Sequence, residues 1–159
     1  MVVAHQTTRP KQGHAAGRQL LERLYREYTG EEMPEILVAE WGKPYFAGSP
    51  VHFSITHTKH HVFCALSEYP IGIDAEELDR KIDLCLAEKV LSPTELEQFN
   101  NAQDKQSAFL RFWVLKEAQA KCTGEGLRGY LCRTAFSLED PRVQIQNGCL
   151  LAVIEDKGE

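Results

Sequence analysis

The chain has 159 residues, of which 43% are apolar and 26% charged, and its formal net charge is −5. These values fit one packed domain rather than a disordered chain, and they argue against a nucleic-acid binder working through an overall basic surface. The five cysteines (Cys64, Cys85, Cys122, Cys132 and Cys149) are odd in number and form no C-x-x-C pair, so neither a zinc site nor a disulfide framework is expected. The start MVVAHQTTRPK lacks the apolar run of a signal peptide and no later apolar stretch is long enough to cross a bilayer, so the expected setting is the cytoplasm, away from membranes.

In chain order, a polar start leads into AAGRQLLERLYREYTG, where Leu20, Leu21, Leu24 and Tyr28 recur at helical spacing and Gly30 supplies a stop. EILVAEWGKPYFAGSP reads as a strand, a turn over Gly42 to Pro44 with Lys43 at its exposed tip, and a short second strand. VHFSITHTKHHVFCALS reads as a strand, a polar bend and a second strand from Val62 to Leu66, and IGIDAEE as the strand that follows. Further on, Ser92 can cap a helix, Pro93 suits its first position, and Glu95 completes a capping box. DKQSAFLRFWVLKEAQAKCTGEG is the longest helical pattern, with Phe109, Phe112, Trp113 and Ala120 on one stripe and Gly124 at its end. The last segment reads as two strands joined through Asn147 and Gly148. The order of helix, strands, helix, strands predicts an α+β fold of two similar halves, about 1–70 and about 71–159, each a small sheet packed on a long helix. No sequence repeat accompanies it.

Three clusters could carry chemistry. In IGIDAEELD, strand alternation puts Ile71, Ile73 and Ala75 on one face, and Gly72, Asp74 and Glu76 on the other. The plain interpretation of D-x-E is a solvated edge strand; the alternative is a carboxylate pair that needs a cation. On the long helix, Glu117 and Lys121 stand four residues apart on one face, as in any surface ion pair. Lys116, however, falls inside the apolar stripe, where it must snorkel or meet an anion, and an anionic ligand would complete it. With Glu117, the strand carboxylates could offer oxygens to Mg²⁺, a hard cation that takes few protein ligands. The histidines of HFSITHTKHH lack a convincing metal-ligand set, so phosphate contact by His57 and a neighbouring hydroxyl is the simpler role, and His52 is assigned to packing or surface.

Taken in order, WGKPYF, HFSITH, IGIDAEE and FWVLKEAQAK resemble the motifs of the 4′-phosphopantetheinyl transferase superfamily, specifically its larger, surfactin-synthetase-activating type. The resemblance runs from Trp41 to Lys121. It implies two halves related by a pseudo-twofold axis that meet around coenzyme A. It also implies transfer of the phosphopantetheine arm to a serine of an apo acyl or peptidyl carrier protein, releasing adenosine 3′,5′-bisphosphate. By position, Asp74, Glu76 and Glu117 look like the Mg²⁺ ligands, with Glu117 as the acceptor of the serine proton and Lys116 and Lys121 as the cations facing the pyrophosphate. Lys43 and Pro44 resemble the turn near the adenine, and Thr56 and His57 resemble the phosphate-binding pair.

The sequence departs from the family pattern in three places. Ser54 and Thr56 stand where the family has Asn and Ser. The arginine expected upstream of the first helix falls near Gly13, leaving Lys11, Arg9 or Arg18 for the 3′-phosphate. The N-terminal part is short, which predicts a first half lacking its opening strand. A monomer is expected, with Arg80 to Phe99 as the surface for the carrier. The readings set against transfer are a non-catalytic relic that binds coenzyme A or a carrier, and a Mg²⁺-dependent phosphohydrolase.

Overall fold

A computed structural model describes residues 1–126 and 134–158; Cys132 lies outside them. The polar-looking start is a strand. β1 (Val2–Thr7) pairs antiparallel with β5 (His61–Ser67), which in turn pairs with β4 (His52–His57), giving the sheet order β1-β5-β4. The expectation of a missing opening strand is therefore corrected: alternation in VVAHQT is weak because β1 is an edge strand with no fully buried residue. The helix α1 (Gly13–Thr29) lays Leu20, Leu21, Leu24 and Tyr25 on Phe53, Val62, Cys64 and Leu66, and Gly30 ends it in the left-handed conformation (φ 77°). A separate two-stranded ladder joins β2 (Ile36–Val38) to β3 (Pro44–Phe46).

The second sheet has the order β6-β8-β7, from Ile71–Glu77, Cys149–Glu155 and Val143–Gln146. Asn147 (φ 52°) and Gly148 (φ 74°) form the two-residue hairpin loop, the paired positive φ that favours Asn-Gly there. Between β6 and β7 lie a 3₁₀ turn (Leu84–Leu86), the one-turn helix α2 (Ala87–Val90), α3 (Pro93–Asn101) and α4 (Lys105–Thr123). The protein is thus a mixed α+β fold of small sheets and four helices. Among the described residues, no helix is long and apolar enough to cross a membrane, and Cys64, Cys85, Cys122 and Cys149 are free thiols.

The two sheets meet through β6, which is buried on both faces. Ile71, Ile73 and Ala75 pack with Phe63 and Ala65 of the first sheet, while the opposite face lies on α4. Contact with α4 is so close that a Cβ at Gly72 would stand 1.9 Å from the Ala118 carbonyl oxygen and 2.5 Å from the Cys122 nitrogen. Both obstacles are backbone, so nothing can rotate away. Gly72→Ala is expected to cost about 3 kcal/mol of stability, read as a lower urea midpoint at unchanged m-value.

β1 and β5 also bring two histidines together: His5 Nε2 and His61 Nδ1 are 3.0 Å apart, with the rings stacked and Phe63 beside them. Burial, and then the His61 charge, hold the His5 pKa below the ordinary histidine value. A depressed folded pKa contributes stability that is present above the unfolded value of about 6.5 and lost as pH falls through the folded one. The melting temperature should therefore drop on acidification below about pH 6.5, and His5→Phe should flatten that part of the profile.

α4 is buried around most of its circumference, not along a single stripe. Phe109 and Phe112 are fully enclosed, Trp113 is only partly so, and Lys116 is 4% exposed. The anion that Lys116 meets belongs to the chain itself. Its ammonium lies 2.8 Å from the Glu95 carboxylate, which is 0% exposed, and donates to the Thr134 carbonyl at 2.9 Å. Glu95 is also the capping-box residue of α3: Oε2 accepts from the Ser92 amide at 2.8 Å, and Oε1 accepts from the Phe136 amide at 2.8 Å.

Candidate functional site

β6 and β4 run side by side where the two sheets meet, but they share no continuous backbone ladder. Side chains bridge the seam. Ser54 Oγ accepts the Ile73 amide at 3.1 Å, and Lys121 donates to the Ile73 carbonyl at 3.1 Å. Lys43 reaches the Ile71 carbonyl at 3.4 Å and the Cys122 carbonyl at 2.6 Å. A groove opens above this seam. One section, of about 240 Å³, is lined by Trp41, Lys43, Pro44, Ser54, Glu117 and Lys121. The next, of about 320 Å³, shares Glu117 and Lys121 and adds Thr56, His57, Asp74, Glu76, Arg80 and Trp113. Beyond it, Lys11 and Lys59 flank His57 and Arg80.

At the centre, Asp74 is 6% exposed. Its Oδ1 accepts from Lys121 Nζ at 2.8 Å and from Thr56 Oγ1 at 3.1 Å, whereas Oδ2 is buried with no hydrogen-bond partner among the described residues. Burial raises the Asp74 pKa, and Lys121 opposes that rise. Glu117 projects from α4 into the same groove; burial first, and then the Asp74 charge, push its pKa upward. Two desolvated carboxylates facing each other, one with an idle oxygen, form an electrostatic arrangement that a further cation would relieve.

Of the residues expected from sequence, Lys43, Pro44, Thr56, His57, Asp74, Glu76, Glu117 and Lys121 all line the groove. Lys116 does not. It points into the core packed between α3 and α4, where Glu95 supplies its anion. Lys43 is half-buried against α4 and β6 rather than standing at an exposed tip. The Glu76 carboxylate is engaged by the Arg80 guanidinium. Among the described residues, no three His, Cys, Asp or Glu side chains are gathered closely enough to form a ready-made metal cage. The idle oxygens available to a cation are therefore those of Asp74 and Glu117, with Glu76 able to join only by turning from Arg80.

His57 is set by a glycine: a Cβ at Gly13, the first residue of α1, would fall 2.6 Å from His57 Nδ1. The residue expected to be a departure from the family is thus the one that lets the imidazole lie against the helix start. Sequence patterns missed Arg80, Trp41 and Trp113 as groove residues. Arg80 lies four residues after Glu76, but in the turn following a strand, where no helical spacing rule marks the pair. Trp41, at 73% exposed, could have been found as a large apolar side chain in a turn.

Comparison with known proteins agrees with this geometry. The chain is 35% identical over 107 residues to 4′-phosphopantetheinyl transferase gsp of Aneurinibacillus migulanus, an alignment covering 66% of this chain and 44% of that protein. It is 36% identical over 106 residues to a 4′-phosphopantetheinyl transferase of Bacillus subtilis, covering 65% and 47%. With 4′-phosphopantetheinyl transferase psf-1 of Bacillus pumilus it shares 32% identity over 136 residues, covering 82% and 58%. The chain spans about half the length of the curated relatives it matches. The family model described as the 4′-phosphopantetheinyl transferase superfamily matches residues 70–152, the span holding β6, α4 and most of β8. Since that match takes in Asp74, Glu117 and Lys121 and covers more than half of the sequence, the chain belongs to the 4′-phosphopantetheinyl transferase superfamily.

Proposed function

We propose that this chain transfers the 4′-phosphopantetheine arm of coenzyme A to a serine of an apo acyl or peptidyl carrier protein, releasing adenosine 3′,5′-bisphosphate. The observation that carries the proposal is the buried Oδ2 of Asp74, unpartnered among the described residues, beside Glu117 and Lys121 at the floor of a groove between two sheets. The names of the relatives point to the same reaction.

Asp74 and Glu117, joined by Glu76 once it leaves Arg80, would hold Mg²⁺. The ion, when bound, would supply positive charge to the pyrophosphate and offset the burial that raises both carboxyl pKa values, together with the Asp74 charge that adds to the rise at Glu117. Within the chain, Lys121 offers a fixed ammonium to the same phosphates, since Asp74 and the Ile73 carbonyl hold it in place. His57 and Lys11, further along the groove, would take the 3′-phosphate; of Lys11, Arg9 and Arg18, Lys11 lines that section. Thr56 spends its proton on Asp74 and so steadies that carboxylate while keeping lone pairs toward the groove. Glu117, with a carboxylate that makes no hydrogen bond among the described residues and a raised pKa, accepts the proton of the attacking serine.

The halves, residues 1–70 and 71–159, read as an internal duplication about a pseudo-twofold axis. Each has a first strand, a long helix and a closing hairpin whose last strand takes the middle of the sheet: β1-β5-β4 and β6-β8-β7. This supports one active chain without a second copy. For the carrier, the surface from Arg80 to Phe99 supplies exposed Leu86 among mixed charges, with Arg80, Lys81 and Lys89 beside Asp83 and Glu88, so that its basic and apolar spots would meet an acidic partner.

The test is to incubate the protein with coenzyme A, Mg²⁺ and a panel of apo carriers and to follow carrier mass, with Trp41 fluorescence recording coenzyme A binding in parallel. A mass gain equal to the phosphopantetheine arm, lost on chelation, is the expected result. Quenching without mass gain across the panel would favour a binding relic, and phosphate release without a carrier would favour a hydrolase.

A further inference from the structure

Lys121 divides its ammonium between the Ile73 carbonyl and the Asp74 carboxylate, whereas both hydrogen bonds of the Lys43 ammonium among the described residues go to backbone carbonyls. Lys43 Nζ donates to the Cys122 carbonyl at 2.6 Å and to the Ile71 carbonyl at 3.4 Å, leaving at most one of three protons for anything else. The Cys122 carbonyl is among the last four of α4, which no intrahelical amide can satisfy, and a cation there also complements the helix dipole. Gly124 ends the same helix in the left-handed conformation (φ 78°), and a Cβ on it would lie 3.0 Å from Lys43 Cδ, so the aliphatic stem is packed against the cap. Burial lowers the Lys43 pKa, as a site away from water requires. The turn that carries Lys43 is itself tight: Gly42 donates to the Ala39 carbonyl at 2.9 Å and Ala39 to the Lys43 carbonyl at 2.9 Å, with Pro44 next in line.

Resting on the reading of the groove as a coenzyme A site, we propose that Lys43 is a positioning residue: it clamps the Gly42–Pro44 turn of the first half to the C-terminus of α4 and to β6, and does not neutralise ligand phosphate. The clamp ties the groove wall at the turn to the helix that holds Glu117 and Lys121. Lys121 grips Ile73 two residues along the same β6 edge, so the two lysines together hold α4 in register with Asp74. Occupying the turn then favours the arrangement in which the carboxylates and Lys121 are aligned.

Lys43→Met and the shorter, neutral Lys43→Gln test this by two independent readouts. In the unliganded protein, hydrogen exchange at the amides of Lys121 to Gly124 is expected to rise about tenfold in both variants, as the helix end loses its cap. In the carrier assay, kcat is expected to fall about ten- to a hundredfold, because Glu117 and Lys121 lose alignment, while the salt dependence of coenzyme A binding stays as in the parent. A raised KM at unchanged kcat, with a weaker salt dependence and unchanged exchange, would make Lys43 a direct phosphate contact and overturn the proposal. The exchange readout needs no activity, so failure of the transferase reading leaves it standing: parent-like exchange in both variants refutes the clamp by itself.

Discussion

Glu117→Gln is expected to slow carrier modification about 10²- to 10⁴-fold, the range for loss of a positioned general base, while raising the melting temperature of the unliganded protein. The two effects share one cause. Burial and the neighbouring Asp74 charge raise the Glu117 pKa, so its ionised form is held in the folded protein against its preference. An acid whose folded pKa is raised contributes stability that is fully present below its unfolded value of about 4.3 and is lost as pH rises through the folded value. Glutamine never undergoes that loss. The gain in melting temperature should therefore widen as pH increases across the carboxylate range, and Mg²⁺ should stabilise the parent more than the variant. A variant that loses both activity and stability would instead mark Glu117 as a packing residue. Activity given up in exchange for stability is the pattern expected where like charges are held together for chemistry.

Glu95→Ala should cost about 3 to 5 kcal/mol, enough to lower the melting temperature sharply and to reduce the yield of folded protein. Three contacts disappear at once: the counter-charge 2.8 Å from the buried Lys116 ammonium, the acceptor of the Ser92 amide in the capping box, and the acceptor of the Phe136 amide. Loss of a cap alone costs about 1 kcal/mol, so the larger part comes from the charge left behind in the core. Combining Glu95→Leu with Lys116→Met is expected to recover much of the loss, because an apolar pair replaces a desolvated ionic one. A double-variant cycle by urea unfolding measures the coupling directly. If Glu95→Ala and Lys116→Met proved additive, the pair would carry no energetic weight of its own.

Much of the site was legible before the structure. D-x-E on an alternating strand put Asp74 and Glu76 on one face, and E-x-x-x-K did the same for Glu117 and Lys121, because those spacings follow from backbone geometry alone. Lys116 shows where that logic stops. Its place within an apolar stripe correctly required an anion, but periodicity cannot say which anion, and a ligand phosphate was the expectation. Glu95, twenty-one positions away, was already assigned to a helix cap, and nothing local revealed that one carboxylate serves both the cap and the buried ammonium. The opening strand was missed for a related reason: β1 is held by its ladder to β5 and not by a strong apolar alternation of its own.

The sequence by itself determined the local elements, the faces on which the carboxylates stand, and the motifs that mark the superfamily, since each rests on chain geometry over a few residues. Only the tertiary structure decided that Asp74 keeps an idle buried oxygen, that Arg80 holds Glu76, that Lys116 turns inward, and that Lys43 closes onto α4. Those outcomes depend on which groups from distant segments reach the same desolvated space. There the strongest available partner wins, whatever its distance along the chain.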